Sequence, residues 1–160
     1  MSLILLAALS DNNVIGKDNT LPWHIPEDLK RFRGLTFENP VIMGRKTYES
    51  ILQKLKKPLD HRINIVLSQT LEDHDVIVKK SVREILSYCY NFEKAYVIGG
   101  QQVYASFLPF CSIMELTRVH NSLDGDTFFP EVDWKEWRNV NREENNNGKY
   151  SYSFVRYEKQ

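Results

Sequence analysis

Short apolar runs alternate with helix-like segments along most of this chain. The apolar runs are rich in aliphatic and β-branched residues and are bounded by polar turns, which is typical of strands covered on both faces. These predicted strands are residues 3–9, 40–43, 63–67, 76–78, 95–98 and 113–119. Apolar residues recur at helical spacing, or follow a helix-start signal, in residues 26–35, 45–55, 81–90 and 101–108. The alternation predicts an α/β fold with a mostly parallel central sheet and helices on both faces.

The end of the chain follows another pattern. Residues 137–142 and 150–158 are strand-like and flank the Asn-Asn-Asn-Gly stretch 145–148, with no helix between them. This pattern predicts an antiparallel hairpin at one edge of the sheet. The length of 160 residues fits one domain, residues 1–160. Ligands of such sheets bind at the carboxyl ends of the strands.

Composition and charge exclude several classes of function. Lys plus Arg and Asp plus Glu both total 21 and no basic run occurs, so we predict neither a nucleic-acid nor a membrane partner. Cys89 and Cys111 form no CxxC pair and the four histidines are scattered, which predicts no metal site. Residues 1–9 lack the basic start of a signal peptide, and no run approaches the roughly 18 apolar residues of a membrane span. We therefore predict a cytoplasmic protein.

Two strand-to-helix junctions carry candidate chemistry. At the first, a strand ends at Gly44 and a helix starts with Arg45, Lys46 and Thr47. Cations in a first helical turn oppose the helix dipole, and an anion bound at the free N–H groups would explain them. The alternative is a solvated basic turn, which this segment alone does not disfavour.

The second junction holds the adjacent glycines Gly99 and Gly100, which allow a ligand to approach the backbone closely. The alternative is an ordinary tight turn. Neither GxGxxG nor GxxxxGK is present, so this is neither the standard dinucleotide fingerprint nor a P-loop. Together the two junctions favour a pyrophosphate held between two helix N-termini.

A polar loop after the first strand leads to Asp28, near the start of a helix. Taken alone, Asp28 is best explained as a stabilising first-turn carboxylate. Asp28 and Phe32, however, are four residues apart and share a helix face. A carboxylate beside an aromatic ring suits a flat, nitrogen-rich heterocycle, and the preceding loop could serve as a lid.

Several segments resemble the motifs of the dihydrofolate reductase family in the order that the family has them. They are Val14-Ile15-Gly16, Leu21-Pro22-Trp23, Pro26-Glu27-Asp28-Leu29, Met43-Gly44-Arg45-Lys46-Thr47, Glu49-Ser50-Ile51, Ile98-Gly99-Gly100, Val103-Tyr104 and Gly125-Asp126-Thr127-Phe128-Phe129-Pro130. Each motif is weak alone, but the ordered set is specific and spreads over most of the chain. The resemblance implies reduction of 7,8-dihydrofolate to 5,6,7,8-tetrahydrofolate by hydride transfer from NADPH, for one-carbon metabolism.

The resemblance also implies roles for individual residues. Asp28 would hold the pterin's 2-amino group and N3, and Thr117 would orient the carboxylate. Trp23 would hold a water, and Leu21 would lie on the lid. Water, rather than Asp28, would deliver the N5 proton. The substrate pocket would further contain Leu6, Ala8, Leu29, Phe32, Ile51, Leu59, Ile98 and Tyr104.

Arg62 matches the arginine that pairs with the substrate's glutamate tail; without the family resemblance, an exposed cation at a strand start is the better explanation. Beside this tail site the chain is longer than the shortest bacterial members, over residues 52–57. Three lysines there would bind a polyglutamylated substrate, although a solvated helix end explains them more simply.

For the cofactor, Arg45, Lys46 and Thr47 would meet phosphates, and Arg45 and Lys80 would select NADPH over NADH. Gly99 and Gly100 would be joined by a cis peptide. The other cofactor contacts implied are Ala8, Ile15, Gly16, Asn19, Thr20, Leu21, Gly44, Leu67, Ser68, Gln69, Ile98, Gln101, Gln102, Val103, Tyr104 and Thr127. Gln69 and Gln101 depart from the family, which often has a hydroxyl residue and a third glycine at these positions.

We further expect Asp126 to hydrogen-bond the loop around Gly16 and hold the lid closed, although an ordinary turn aspartate explains it equally well. Diaminopyrimidine or pteridine antifolates would bind at Asp28, and the protein would act as a monomer. Two rival functions remain: a related reductase of a pyrimidine precursor on the same fold, and a non-catalytic nucleotide-binding module.

Overall fold

The fold of the chain is taken from a computed structural model that describes residues 1–18 and 20–160. In this part of the chain the strands are β1 (Ser2–Ser10), β2 (Val14–Gly16), β3 (Pro40–Gly44), β4 (Ile63–Leu67), β5 (Ile77–Lys79), β6 (Lys94–Gly99), β7 (Ile113–Val119), β8 (Thr127–Phe128), β9 (Trp137–Asn146) and β10 (Ser151–Lys159). The α-helices are α1 (Pro26–Thr36), α2 (Arg45–Leu55), α3 (Val82–Cys89) and α4 (Gln101–Phe107). None of the described helices is long and apolar enough to cross a membrane.

Eight of the described strands form one sheet in the order β5-β4-β3-β6-β1-β7-β10-β9. The pairs from β5 through to β7 are parallel. The C-terminal strand β10 runs antiparallel to both β7 and β9. The prediction of a mostly parallel sheet with an antiparallel C-terminal edge hairpin is therefore confirmed.

Both faces of the sheet are covered by helices, as predicted. Along β1, Leu3 and Leu5 belong to one buried cluster, whereas Ile4 and Leu6 belong to another, because successive strand residues point to opposite faces. Helices α3 and α4 contribute to the first cluster, and α1 and α2 contribute to the second. Each fully buried aliphatic side chain stabilises the fold by about 1.5–3 kcal/mol.

The structure differs from the predicted elements in two places. A small sheet in which β2 pairs with β8 was not predicted, because strands of three and two residues are too short to show a period. The C-terminal hairpin is longer than predicted, because Asn145 and Asn146 continue the ladder opposite Tyr152 and Ser151. The hairpin loop is correspondingly shorter.

The order of strands determines where a ligand can enter. From β1 the chain passes through α1 to β3, on one side, whereas from β6 it passes through α4 to β7, on the other side. Strands β1 and β6 are neighbours, and the connections that follow them lie on opposite faces of the sheet, which leaves a crevice at their carboxyl ends.

Candidate active site

A cleft of about 1340 Å³ opens at the carboxyl ends of the parallel strands. Its wall contains every described residue that was predicted to contact substrate or cofactor, except Lys80 and the two lysines Lys56 and Lys57 of the tail segment. Asn19, a predicted cofactor contact, lies outside the described residues. Residues that are more than a hundred positions apart in the sequence, such as Leu6 and Thr127, therefore share one cavity, although their individual roles stay predictions.

Asp28 lies half-buried in the first turns of α1, two residues after Pro26. Proline is well suited to the start of a helix, since the N–H it lacks would have had no partner in the helix. The hydroxyl of Thr117, on β7, donates a hydrogen bond of 2.5 Å to Oδ1 of Asp28. Burial raises the pKa of the Asp28 carboxyl, while this hydrogen bond and the positive charge of Arg31 act in the opposite direction with smaller effect.

Trp23 and Tyr104 both line the cleft and are buried. Trp23 is only 6% exposed, and its buried Nε1 has no hydrogen-bond partner among the described residues. An indole N–H in that position can donate to a bound molecule. Tyr104 is also buried, and its hydroxyl donates to the carbonyl oxygen of Leu6 over 2.8 Å. Burial raises the pKa of Tyr104, so the phenol stays neutral near neutral pH.

The two glycine-containing junctions lie against each other across the cleft. A Cβ on Gly44 would come within 3.0 Å of a methyl of Val103, and a Cβ on Gly100 would lie 3.6 Å from the hydroxyl of Thr47. Gly99 has φ of +114° and lies against the Tyr104 ring. The Gly99–Gly100 peptide is cis, as the family resemblance implies.

The basic residues predicted at the cofactor site fall in different environments. Arg45 lies on the cleft wall, where it bonds Glu49 over 2.8 Å and the hydroxyl of Thr70 over 2.9 Å. Lys80 is exposed, and its backbone bonds Glu84 and the side chain of Gln69 instead. Of the two cations predicted to select NADPH, only Arg45 lines the cleft among the residues described.

A model of the family described as "Dihydrofolate reductase" matches residues 2–159. The chain belongs to the dihydrofolate reductase family. Among its relatives, the dihydrofolate reductase of Haemophilus influenzae is 46% identical over 138 residues, which cover 86% of this chain and 84% of the relative. The dihydrofolate reductase of Bacillus subtilis is 39% identical, covering 95% and 91%.

A solved dihydrofolate reductase structure has the same fold. The enzyme from Enterococcus faecalis, complexed with NADP(H) and RAB-propyl, superimposes with a TM-score of 0.92. It is 34% identical to this chain, and the match covers 99% of this chain and 96% of that structure. The α/β fold predicted from the sequence is therefore that of dihydrofolate reductases.

The contact that we expected between Asp126 and the loop around Gly16 is present. The backbone N–H of Asp126 donates to the carbonyl of Gly16 over 3.0 Å, and its carboxylate accepts from the N–H of Asp18 over 2.9 Å. A Cβ on Gly125 would lie 2.2 Å from a methyl of Val14, so the two segments approach as closely as glycine permits. The loop that Asp126 contacts lines the cleft through Gly16, Thr20 and Leu21.

Arg62 is not the exposed cation that its sequence position alone suggests. Its side chain is 4% exposed and lines the cleft. The guanidinium donates to the Asp60 carbonyl over 2.8 Å, to the Asp60 carboxylate over 3.1 Å and to the Thr36 hydroxyl over 3.2 Å. Two of its five N–H groups remain available for a further acceptor.

Arg31 was not predicted among the residues of the cleft, and the hydrogen bond made by Gln101 was not predicted either. Arg31 lines the wall three residues after Asp28, and that spacing on a predicted helix was the available signal. Gln101, which stands where dihydrofolate reductases often have a third glycine, accepts a hydrogen bond from the N–H of Phe128 over 2.8 Å. Its side chain therefore joins α4 to β8, a contact that only the fold reveals.

Proposed function

We propose that this protein is an NADPH-dependent dihydrofolate reductase, which transfers a hydride from NADPH to 7,8-dihydrofolate and forms 5,6,7,8-tetrahydrofolate. The observation that carries the proposal is the Asp28 carboxylate, which is oriented by Thr117 on the wall of the cleft that also holds the glycine pair. Family membership and the NADP(H) complex of the Enterococcus relative support the same reaction.

The chemistry of Asp28 fits the pterin ring. An ionised carboxylate can accept two hydrogen bonds side by side, and the 2-amino group and N3 of the pterin present two adjacent donors. Phe32 lies one helical turn from Asp28 on the cleft wall, where its ring can pack against a flat heterocycle. The unpartnered N–H of Trp23 is suited to hold a water at the same edge.

The reaction also needs a proton at N5 of the pterin. In our proposal a water delivers that proton, while Asp28 orients the pterin and favours the tautomer that accepts it. The raised pKa of Asp28, which burial causes, brings its titration closer to neutral pH. Tyr104 does not serve as the acid, because its raised pKa keeps the phenol proton in place.

The second end of the cleft fits a dinucleotide. Helix α2 begins after Gly44 with no side-chain cap, so its first N–H groups are available to a phosphate. Side chains at Gly44 or Gly100 would project toward the other junction, where they would meet Val103 and Thr47 respectively. Arg45, Lys46 and Thr47 would hold phosphate groups there, with Arg45 selecting the 2′-phosphate. When bound, NADPH supplies the hydride.

The glutamate tail of the substrate would bind in the same cleft, and so would inhibitors. Arg62 has two N–H groups left for the α-carboxylate of a glutamate tail, a bidentate role suited to guanidinium. Lys54, also on the wall, together with Lys56 and Lys57 would attract the carboxylates of a polyglutamate tail. Diaminopyrimidine and pteridine antifolates would pair with Asp28 through charge-assisted hydrogen bonds.

We also propose that the protein works as a single-domain monomer in the cytoplasm. The cleft wall is formed within one chain, so the described site needs no residue from a second copy. One continuous sheet runs through the described residues from β5 to β9. The free thiols of Cys89 and Cys111 are buried and suit a reducing compartment.

The test is the loss of reduced-nicotinamide absorbance when the purified protein meets NADPH and dihydrofolate. We expect turnover that is faster with NADPH than with NADH and that collapses in Asp28→Asn. A protein that binds NADPH but reduces only a ribosylaminopyrimidine would instead be the related pyrimidine-precursor reductase. Binding of NADPH with neither reaction would identify a nucleotide-binding module.

A further inference from the structure

Two parallel contacts join β7 to α1 beside the cleft. Glu115 and Thr117 are two residues apart on β7, so their side chains project from the same face of the sheet. Asp28 and Arg31 are one helical turn apart on α1 and share a face of the helix. Thr117 bonds Asp28 over 2.5 Å, and Arg31 bonds Glu115 over 2.6 Å. The carboxylate of Asp28 and the guanidinium of Arg31 are therefore oriented by neighbouring positions of one strand.

Glu115 is a buried carboxylate with both oxygens engaged. Its side chain is 6% exposed; Oε2 accepts from Arg31, and Oε1 accepts from Arg156 on β10 over 2.7 Å. Arg31, Glu115 and Arg156 together therefore carry a net positive charge. A buried carboxylate needs such partners, because an unpaired charge in that position is strongly destabilising.

Arg31 is fixed from a second side. Its guanidinium lies over the ring of Phe154, 4.5 Å from the ring centroid. Its side chain is 20% exposed, and it forms part of the cleft wall. Arg156 occupies the far side of Glu115 and does not line the cleft. Both arginines therefore form an ion pair with Glu115, but only Arg31 of the two lines the cleft.

We propose that Arg31, anchored by Glu115, is a positioning residue for the reaction, which keeps a fixed positive charge beside the Asp28 carboxylate. An opposite charge nearby favours the ionised form of a carboxylate. Arg31 accordingly holds the pKa of Asp28 down against the larger, raising effect of burial. The inference rests on the proposed function, because that function gives Asp28 its substrate.

Among the described residues, the other titratable groups whose charge is coupled to Asp28 are not cations. Glu27 precedes Asp28 on α1 and is hydrogen-bonded to the hydroxyl of Tyr152 on β10. Tyr104 approaches Asp28 from α4. Both tyrosines have raised pKa values, chiefly because of burial, and are neutral in the working range. Among the described groups, Arg31 is the cation whose charge acts on Asp28.

The direct test is a carbon-13 titration of the aspartate side-chain carboxyls in the full chain, with the Asp28 signal assigned from Asp28→Asn. In Arg31→Gln we expect the Asp28 midpoint to move to higher pH, and in Arg31→Lys to return toward wild type. The matched control is Arg156→Gln, which removes an equivalent bond from Glu115 and should leave the midpoint unchanged. An unmoved midpoint in Arg31→Gln, or an equal shift in Arg156→Gln, would overturn the proposal.

A double-mutant cycle tests the anchor. In a Glu115→Gln background, we expect Arg31→Gln to move the Asp28 midpoint less than it does in the wild type, because the guanidinium is no longer held in place. If Arg31→Gln moves the Asp28 midpoint equally in both backgrounds, Glu115 does not anchor Arg31.

Turnover supplies a separate readout. We expect the alkaline limb of the pH profile of hydride transfer to move to higher pH in Arg31→Gln and to be recovered in Arg31→Lys; an unmoved limb would contradict the proposal. The carboxyl titration needs no activity. A wild-type protein that reduces no dihydrofolate would therefore overturn the proposed function, while the titration would still decide whether Arg31 acts on Asp28.

Discussion

The hydroxyl of Thr117 donates a hydrogen bond to Oδ1 of Asp28 over 2.5 Å, across 89 positions of sequence. The bond connects a central strand to the first turns of a helix and fixes the orientation of a half-buried carboxylate. Burial raises the pKa of that carboxylate, and the hydrogen bond opposes the change. The behaviour of Asp28 with pH is therefore the property that most directly tests the site.

Replacing Asp28 with Asn should remove most of the activity near neutral pH. We expect a loss of about 10²- to 10⁴-fold in hydride transfer, since the group that orients and polarises the pterin is lost. Part of the activity should return in acid, where the substrate is already protonated. The measurement is the rate of NADPH oxidation across pH, with Glu27→Gln, one position away, as the control. A pH profile like that of the wild type would remove Asp28 from this role.

The same substitution should stabilise the unliganded protein at neutral pH. Because the pKa of Asp28 is raised above its ordinary value of 3.8, the ionised carboxylate lowers the free energy of unfolding above the folded-state pKa. This cost fades as pH falls through the raised pKa and is absent below the ordinary one. We expect Asp28→Asn to melt at a higher temperature than the wild type at neutral pH, with the difference closing in acid. A difference in melting temperature that does not change with pH would show that ionisation of Asp28 is not what destabilises the wild type.

Thr117→Val removes the hydroxyl with little change of shape. Because the hydrogen bond favours the ionised carboxylate, its loss should raise the pKa of Asp28 further and move the alkaline limb of the rate profile to higher pH. We expect a loss of about tenfold in kcat/KM at neutral pH, the order associated with one charge-assisted hydrogen bond. Thr117→Ser keeps the donor and should restore both properties. If Thr117→Val and Thr117→Ser have the same activity and pH profile, the loss of the hydroxyl does not explain the change.

Asp126→Ala should weaken the hold on the first loop. Its carboxylate accepts from the N–H of Asp18, and we expect about tenfold weaker NADPH binding and slower hydride transfer. The control is Asp124→Asn, which weakens a solvent-exposed ion pair with Lys17 between the same two segments; water screens this pair, so we expect little effect. Stopped-flow kinetics and cofactor titration measure both variants. Equal effects in the two would show that the carboxylate of Asp126 has no special part in the loop.

Two glycine-to-alanine substitutions should change stability in opposite directions. At Gly125 a Cβ would lie 2.2 Å from a methyl of Val14 and 2.7 Å from the carbonyl oxygen of Gly16, so crowding should cost about 1–3 kcal/mol. At Gly34, exposed on α1, a Cβ would contact nothing within 4 Å, and alanine should stabilise the helix by about 0.5–1 kcal/mol. Denaturant unfolding measures both. A neutral Gly125→Ala would mean that the β2–β8 contact relaxes freely.

Local sequence patterns account for much of the fold. Apolar runs and helical spacing predict the main strands and helices. The start of α1 at Pro26 and the turn at Gly99 and Gly100 follow from the conformational preferences of single residues. The order of the motifs along the chain is sufficient to indicate the family, because it does not depend on any tertiary contact. By contrast, β2 and β8 are too short for a period, and each exists only because the other lies beside it.

The residues that the cleft brings together depend on the fold as a whole. Sequence alone determined that Asp28 starts a helix and that an arginine stands at position 62. Only the tertiary structure decided that Arg62 is buried against Asp60, that Lys80 lies off the cleft wall, and that Arg31 meets Glu115. Each depends on strand order and on how a helix rotates against the sheet. These are set by packing over the whole chain, whereas local periodicity reports only which face of one element is apolar.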